Sequence, residues 1–99
     1  MNVQIRPVDV SIKNGTKQFM SKKLAKLEQY YDRIIDVVAW AKEEANGGKE
    51  EKVVDVKILV PGNLIIASGA ADTFESATEK SVQIAKRNLK RYKEKRRAR

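Results

Sequence analysis

The sequence predicts an α+β fold of order βαβββα, a four-stranded sheet with two helices packed on one face. Three observations predict it. Two stretches with helical spacing of apolar residues, near residues 15–31 and 73–92, are separated by three stretches that alternate with period two. A further alternating segment precedes the first helix. The helices do not alternate one for one with the strands, so the architecture is α+β and not a doubly wound sheet.

Each element has its own signal. Val3 and Ile5 alternate with polar neighbours over residues 2–6, and Pro7 stands at the strand end, where its missing N–H does least harm. Val8, Val10 and Ile12 continue more loosely, and Asn14 before Gly15 is placed to cap a helix. From Gly15 to Tyr31, Met20, Leu24, Leu27 and Tyr31 form one stripe, which Phe19 and Tyr30 widen. Residues 34–45 return to extended character, with Val37, Ala39 and Ala41 on one face and Val38 and Trp40 on the other. Val54, Val56, Ile58 and Val60 define the next strand. Asn46-Gly47-Gly48 joins these two strands into a hairpin with an acidic tip, and Pro61-Gly62-Asn63 turns the chain into a strand over Leu64–Ala70. Asp72 or Thr73 caps the last helix, whose stripe is Phe74, Ala77, Ser81, Ala85, Leu89 and Tyr92 with Val82 beside it. A right-handed crossover through the first helix makes the first two strands parallel and sets both helices on one face. The expected organisation is one domain over residues 1–94, with Lys95–Arg99 a basic, disordered tail.

Composition narrows the function. At 99 residues and 41% hydrophobic the chain builds one core, and no apolar run approaches the roughly 20 residues of a membrane span. The N-terminus lacks the pattern of a secretory signal, and the absence of cysteine fits a reducing cytoplasm. Without histidine or cysteine, the commonest general base and the usual zinc ligands are gone. Glu43, Glu44, Glu50 and Glu51 fall on an exposed hairpin tip and read as a solvated loop that keeps the strand edges soluble. Ser68 and Ser81 have no histidine to activate them, and Gly47-Gly48 lacks the phosphate-loop pattern. The reading is of a cytoplasmic protein that is not an enzyme, with no cofactor, no metal, no membrane and no small-molecule substrate.

Charge points to a partner. Nine basic residues and Glu94 alone fall between Lys86 and Arg99, so the whole excess of +8 lies in the last 14 residues. A localised basic field works against folding through self-repulsion and serves binding, although a solvated helix end would carry the same residues. Lys22, Lys23 and Lys26 on the first helix, with Lys80, Lys86, Arg87, Lys90, Arg91 and Lys93 on the last, are the candidate phosphate-binding residues. Exposed aromatic residues are few, so backbone and shape recognition of a folded nucleic acid fits better than base stacking along a single strand. Trp40 reads as a half-buried sheet residue.

The segment Lys22-Lys23-Leu24-Ala25-Lys26-Leu27-Glu28-Gln29-Tyr30-Tyr31-Asp32-Arg33-Ile34 resembles the K-L-x-K-L-E-x-Y/H-F/Y-D-R-I segment of the ribosome hibernation-promoting factors and ribosome-associated inhibitors. Val60-Pro61-Gly62, Asp72-Thr73-Phe74-Glu75 and Leu89-Lys90-Arg91-Tyr92-Lys93-Glu94-Lys95 resemble the family's V-P-G turn, its D-x-Y/F helix start and its lysine-rich end. The resemblance, to the short form of the family, runs in order along nearly the whole chain. It implies a fold similar to double-stranded-RNA-binding domains, and a protein that is monomeric off the ribosome. It also implies docking in the tRNA–mRNA channel of the small ribosomal subunit, blocking translation by occupancy under stress or in stationary phase. The same basic residues would then contact rRNA. One departure is Gln83-Ile84-Ala85, where many members carry a lysine. Other readings are a binder of structured RNA not dedicated to the ribosome, and an interaction module for an acidic protein.

Overall fold

The computed structural model describes residues 1–97. Its elements run β1 (Asn2–Pro7), α1 (Asn14–Ala25), a 3-10 segment (Lys26–Gln29), β2 (Asp36–Asn46), β3 (Lys49–Val60), β4 (Asn63–Ala71) and α2 (Phe74–Arg97). One sheet of order β1-β2-β3-β4 holds all four strands. β1 lies parallel to β2 in the register Val3↔Val37 and Ile5↔Ala39, and the other pairs are antiparallel. This is the expected βαβββα order.

Register decides which face meets the helices. Val37, Ala39 and Ala41 oppose Ile58, Val56 and Val54, which in turn oppose Ile65, Ala67 and Gly69. Apart from Gly69, which has no side chain to bury, these residues join Met20, Leu24 and Leu27 from α1 and its 3-10 extension, and Phe74, Ala77, Ala85 and Leu89 from α2, in one core. Fully burying each large aliphatic side chain contributes roughly 1.5–3 kcal/mol. The opposite face stays open, with Leu59, Leu64 and Ile66 among its exposed residues. Trp40 lies half-buried on that open face, under the Lys57 ammonium at 5.1 Å.

α2 comes unusually close to the sheet. A Cβ at Gly69 would fall 2.5 Å from the Ala77 carbonyl oxygen and 2.7 Å from the Ser81 nitrogen, so only glycine fits there. The buried Ser81 hydroxyl donates to the Val54 carbonyl at 2.7 Å, which ties α2 to β3 without leaving a polar atom unsatisfied.

Both hairpin turns follow from their residues. Gly47 and Gly48 have φ of 62° and 81°, as a type I′ hairpin turn requires. Pro61-Gly62, with Gly62 at φ 75°, matches a type II turn, and Asn63 already belongs to β4.

Three details differ from the sequence reading, and one of its alternatives is decided. The first helix does not stay α-helical to Tyr31. It tightens at Lys26 into a 3-10 turn closed by Tyr30 N–H donating to the Leu27 carbonyl, a common helix ending. Asn14 does not cap that helix but is its first residue, and no side chain caps it, because the exposed first turn is left to water. The last helix is capped by Thr73, whose Oγ1 accepts from Ser76 N–H at 3.1 Å. Lys95–Arg97, assigned to a disordered tail, are helical instead. Arg96 explains this: its guanidinium donates to the Tyr92 hydroxyl at 2.8 Å and to the Pro61 carbonyl at 3.4 Å, and so holds the last turn to the β3–β4 loop. The remainder of the expected tail, residues 98–99, lies outside the described residues.

Candidate nucleic-acid interface

α1 and α2 lie side by side on the covered face of the sheet, so the outward sides of both are presented together. On α1, Lys22 and the flanking Lys26 are exposed, and their i, i+4 spacing puts both opposite the Met20–Leu24 stripe. Lys23 sits partly buried at the flank, its ammonium 5.4 Å from the centre of the Phe19 ring.

The predicted residues of α2 fall into groups. Lys86, Lys90 and Lys93 turn towards the 3-10 segment and line a cleft of about 350 Å³ with Gln29, Tyr30 and Glu94. The Lys86 ammonium stands 4.7 Å from the centre of the Tyr30 ring, and Lys93 Nζ donates to the Tyr30 carbonyl at 3.5 Å. Arg87 is exposed along the helix, and Arg91 borders a depression with Ile66, Asn88 and Lys95 on the β4 side. Lys80 is set apart. It donates to the Ala70 carbonyl at 3.1 Å and borders a depression with Lys49, Glu51 and Asp72, roughly 9 Å along the helix from Lys86. The structure therefore brings together Lys86, Lys90 and Lys93, sets Arg87 and Arg91 beside them, and leaves Lys80 near the acidic hairpin. At the departure from the family pattern, Gln83 faces out, Ala85 is buried and Ile84 packs partly against the core.

Pairing separates these cations from the lysines on and beside the β2–β3 hairpin. The ion pairs among the described residues are Lys42 with Glu44 and Asp55, Lys49 with Asp72, and Lys52 with Glu43. None involves a candidate interface residue. The Lys42 ammonium is held above its usual range by hydrogen bonds to Glu44 and then Asp55. Partial burial works to raise the Asp55 carboxyl, but hydrogen bonds from Ser68 and Lys42 outweigh it and leave the carboxyl below its usual value. Lys23 and Lys86 meet rings and Lys80 and Lys93 meet carbonyls, none of which cancels their charge, so it stays available to a polyanion.

Sequence reasoning missed Gln29, Tyr30 and Glu94 as cleft residues, and Arg96 as an anchor. Tyr30 has the spacing of a core residue, and in the structure it ends the 3-10 turn beside Lys86 of α2. The i, i+4 spacing of Tyr92 and Arg96 was a usable signal.

Residues 3–97 match the family described as sigma 54 modulation protein / S30EA ribosomal protein. A relative from Salmonella typhimurium, named ribosome hibernation promoting factor, is 32% identical over 95 residues, covering 96% of each chain. A relative of the same name from Pseudomonas putida is 26% identical and covers 96% of this chain and 89% of its own. Among solved structures, a ribosomal subunit interface protein from Coxiella burnetii superposes with a TM-score of 0.83 at 22% identity, covering 94% of this chain and 98% of its own. The N-terminal domain of Thermus thermophilus Protein Y superposes with a TM-score of 0.76 at 19% identity, covering 93% and 99%. These two likenesses show the fold.

Proposed function

The chain belongs to the sigma 54 modulation protein / S30EA ribosomal protein family, and from that premise we propose that it binds the small ribosomal subunit through its two basic helices and holds the ribosome inactive. The observation that carries this reading is the row of cations on α1 and α2 without carboxylate partners. Each can neutralise a phosphate and release its condensed counterion without first breaking an internal ion pair. The names of the relatives, a hibernation promoting factor and a subunit interface protein, support the choice of the ribosome.

The mechanism is occupancy. The sheet fixes the spacing of the two helices, so the cations meet an RNA surface as a rigid array and lose little freedom on binding. Seated in the tRNA–mRNA channel, the domain blocks translation in stress or stationary phase by excluding tRNA and mRNA. No reaction and no cofactor is required, the contacts are with rRNA, and the protein acts as a monomer in the cytoplasm.

Co-sedimentation with purified small subunits tests this. Stoichiometric binding that initiator tRNA competes away is the expected result. Binding of equal strength to unrelated structured RNAs would replace it with the general RNA-binding reading.

A further inference from the structure

The cleft between the 3-10 segment and α2 has features that phosphate binding does not call for. Lys86, Lys90 and Lys93 line it, which suits a phosphate, but so do Gln29, the half-buried Tyr30 and Glu94. Glu94 is the only acidic residue among the last 14, and its carboxylate makes none of the ion pairs found among the described residues. In a purely electrostatic RNA surface a free carboxylate among three lysines only weakens binding. It has a use if the ligand presents hydrogen-bond donors next to a phosphate.

An unstacked nucleotide does so. A carboxylate offers two acceptor oxygens and no donor. Of the four bases, only guanine carries two adjacent donors, N1–H and N2–H, on its Watson–Crick edge. Adenine and cytosine set one amino donor beside an acceptor, and uracil has one N–H between two carbonyls. The volume of about 350 Å³ falls within the range of small-ligand sites, wide enough for one nucleotide and too small for a duplex. RNA is commonly read in this way, with bases splayed out of bulges and loops, held against aromatic rings and bonded at their Watson–Crick edges.

We propose that this cleft receives a single extruded guanosine of the bound RNA, with Glu94 accepting from its N1–H and N2–H and Lys86, Lys90 and Lys93 holding the flanking phosphates. Tyr30 forms the cleft wall, and the Gln29 amide is placed to serve the base carbonyl. This inference rests on the RNA-binding reading and adds base selection to a surface otherwise read as sequence-neutral.

The test measures the affinity of the full chain for RNA hairpins that are identical except for one bulged nucleotide, guanosine, adenosine or uridine, and for the same hairpin without a bulge. A bulged guanosine is expected to bind roughly 5- to 100-fold more tightly than the other bulges, the usual worth of a bidentate base contact. Glu94→Gln provides the decisive control. It removes a negative charge and keeps a helix former, so it should strengthen binding to every other hairpin while abolishing the preference for guanosine. Equal affinity for all bulges, or a Glu94→Gln variant that gains affinity for all hairpins alike, overturns the guanosine site and leaves the proposed function standing. Failure of every hairpin to bind, with small subunits still bound, also overturns the site as an independent nucleotide reader. Failure of both to bind overturns the function as well.

Discussion

The β2–β3 hairpin and the paired helices carry the same side chain, lysine, in opposite circumstances. Lys42, Lys49 and Lys52, on or beside the hairpin, each have a carboxylate within ion-pair distance. Lys86, Lys90 and Lys93 on α2 have none, and lie instead around the Tyr30 ring and carbonyl. Hairpin residues also run past their neighbours, since β1 ends opposite Ala41 and β4 opposite Lys52. The lysines of that projecting, acidic ribbon are paired with carboxylates, whereas those of the helix surface are not. Net charge therefore says only that an anion is wanted, and the proposed function assigns it to the helices, whose cations are not paired as the hairpin lysines are.

The largest effect expected from this contrast is on binding. Replacing Lys86, Arg87, Lys90 and Arg91 by glutamine should raise the dissociation constant for small subunits by about 100-fold or more, while urea melts move by less than about 0.5 kcal/mol per site. The matched Lys42→Gln, Lys52→Gln variant should leave the dissociation constant within about twofold, because those charges are already spent on carboxylates. Equal losses from both variants would erase the distinction between the two regions.

Next in size are changes beneath the helix surface that leave its charge intact. Leu89→Ala, at a fully buried position, should cost roughly 2–5 kcal/mol in urea denaturation. Gly69→Ala should cost about 1–3 kcal/mol or more by forcing α2 away from β4. In both, affinity per folded molecule should hold for Leu89→Ala and fall for Gly69→Ala, which displaces one helix from its place in the array.

The smallest effect belongs to the hairpin side. The Asp55 carboxyl is depressed in the folded state, so its stabilising contribution is present above the ordinary value of 3.8 and is lost as pH falls through the lower folded value. Asp55→Asn should therefore destabilise by roughly 0.2–1 kcal/mol at neutral pH, and that difference from wild type should shrink in melts below pH 3.8.

How much of this was legible depends on the range of the interactions. Strand faces and the α2 stripe follow from period-two and 3.6-residue spacing, and Val54–Val60 or Phe74–Leu89 announce themselves because burial imposes that spacing directly. The turns were legible because Gly47, Gly48 and Gly62 adopt backbone angles that other residues resist. What could not be read were contacts between distant segments. Arg96 reaches Pro61 across 35 residues of sequence, and so a turn that looked like frayed tail is helical. Lys80 faces outward as Lys86 does, yet its ammonium turns to the Ala70 carbonyl, in a depression it shares with Asp72. The cleft at Tyr30 lies where α1 tightens into a 3-10 turn beside α2. Charge run and periodicity give the surface, and tertiary placement decides which of its residues act together.

The most direct test of the central claim, that the unpaired helix cations meet RNA phosphates, is the salt dependence of small-subunit binding. A log–log plot of the association constant against monovalent salt should fall steeply, with about six phosphate contacts costing on the order of 1000-fold between 50 and 200 mM. Each cation replaced by glutamine among Lys86, Arg87, Lys90 and Arg91 should flatten the slope by about one unit. Replacing Lys42 or Lys52 should leave it unchanged. A slope near zero in the wild type, or one that the helix variants do not alter, would contradict the account.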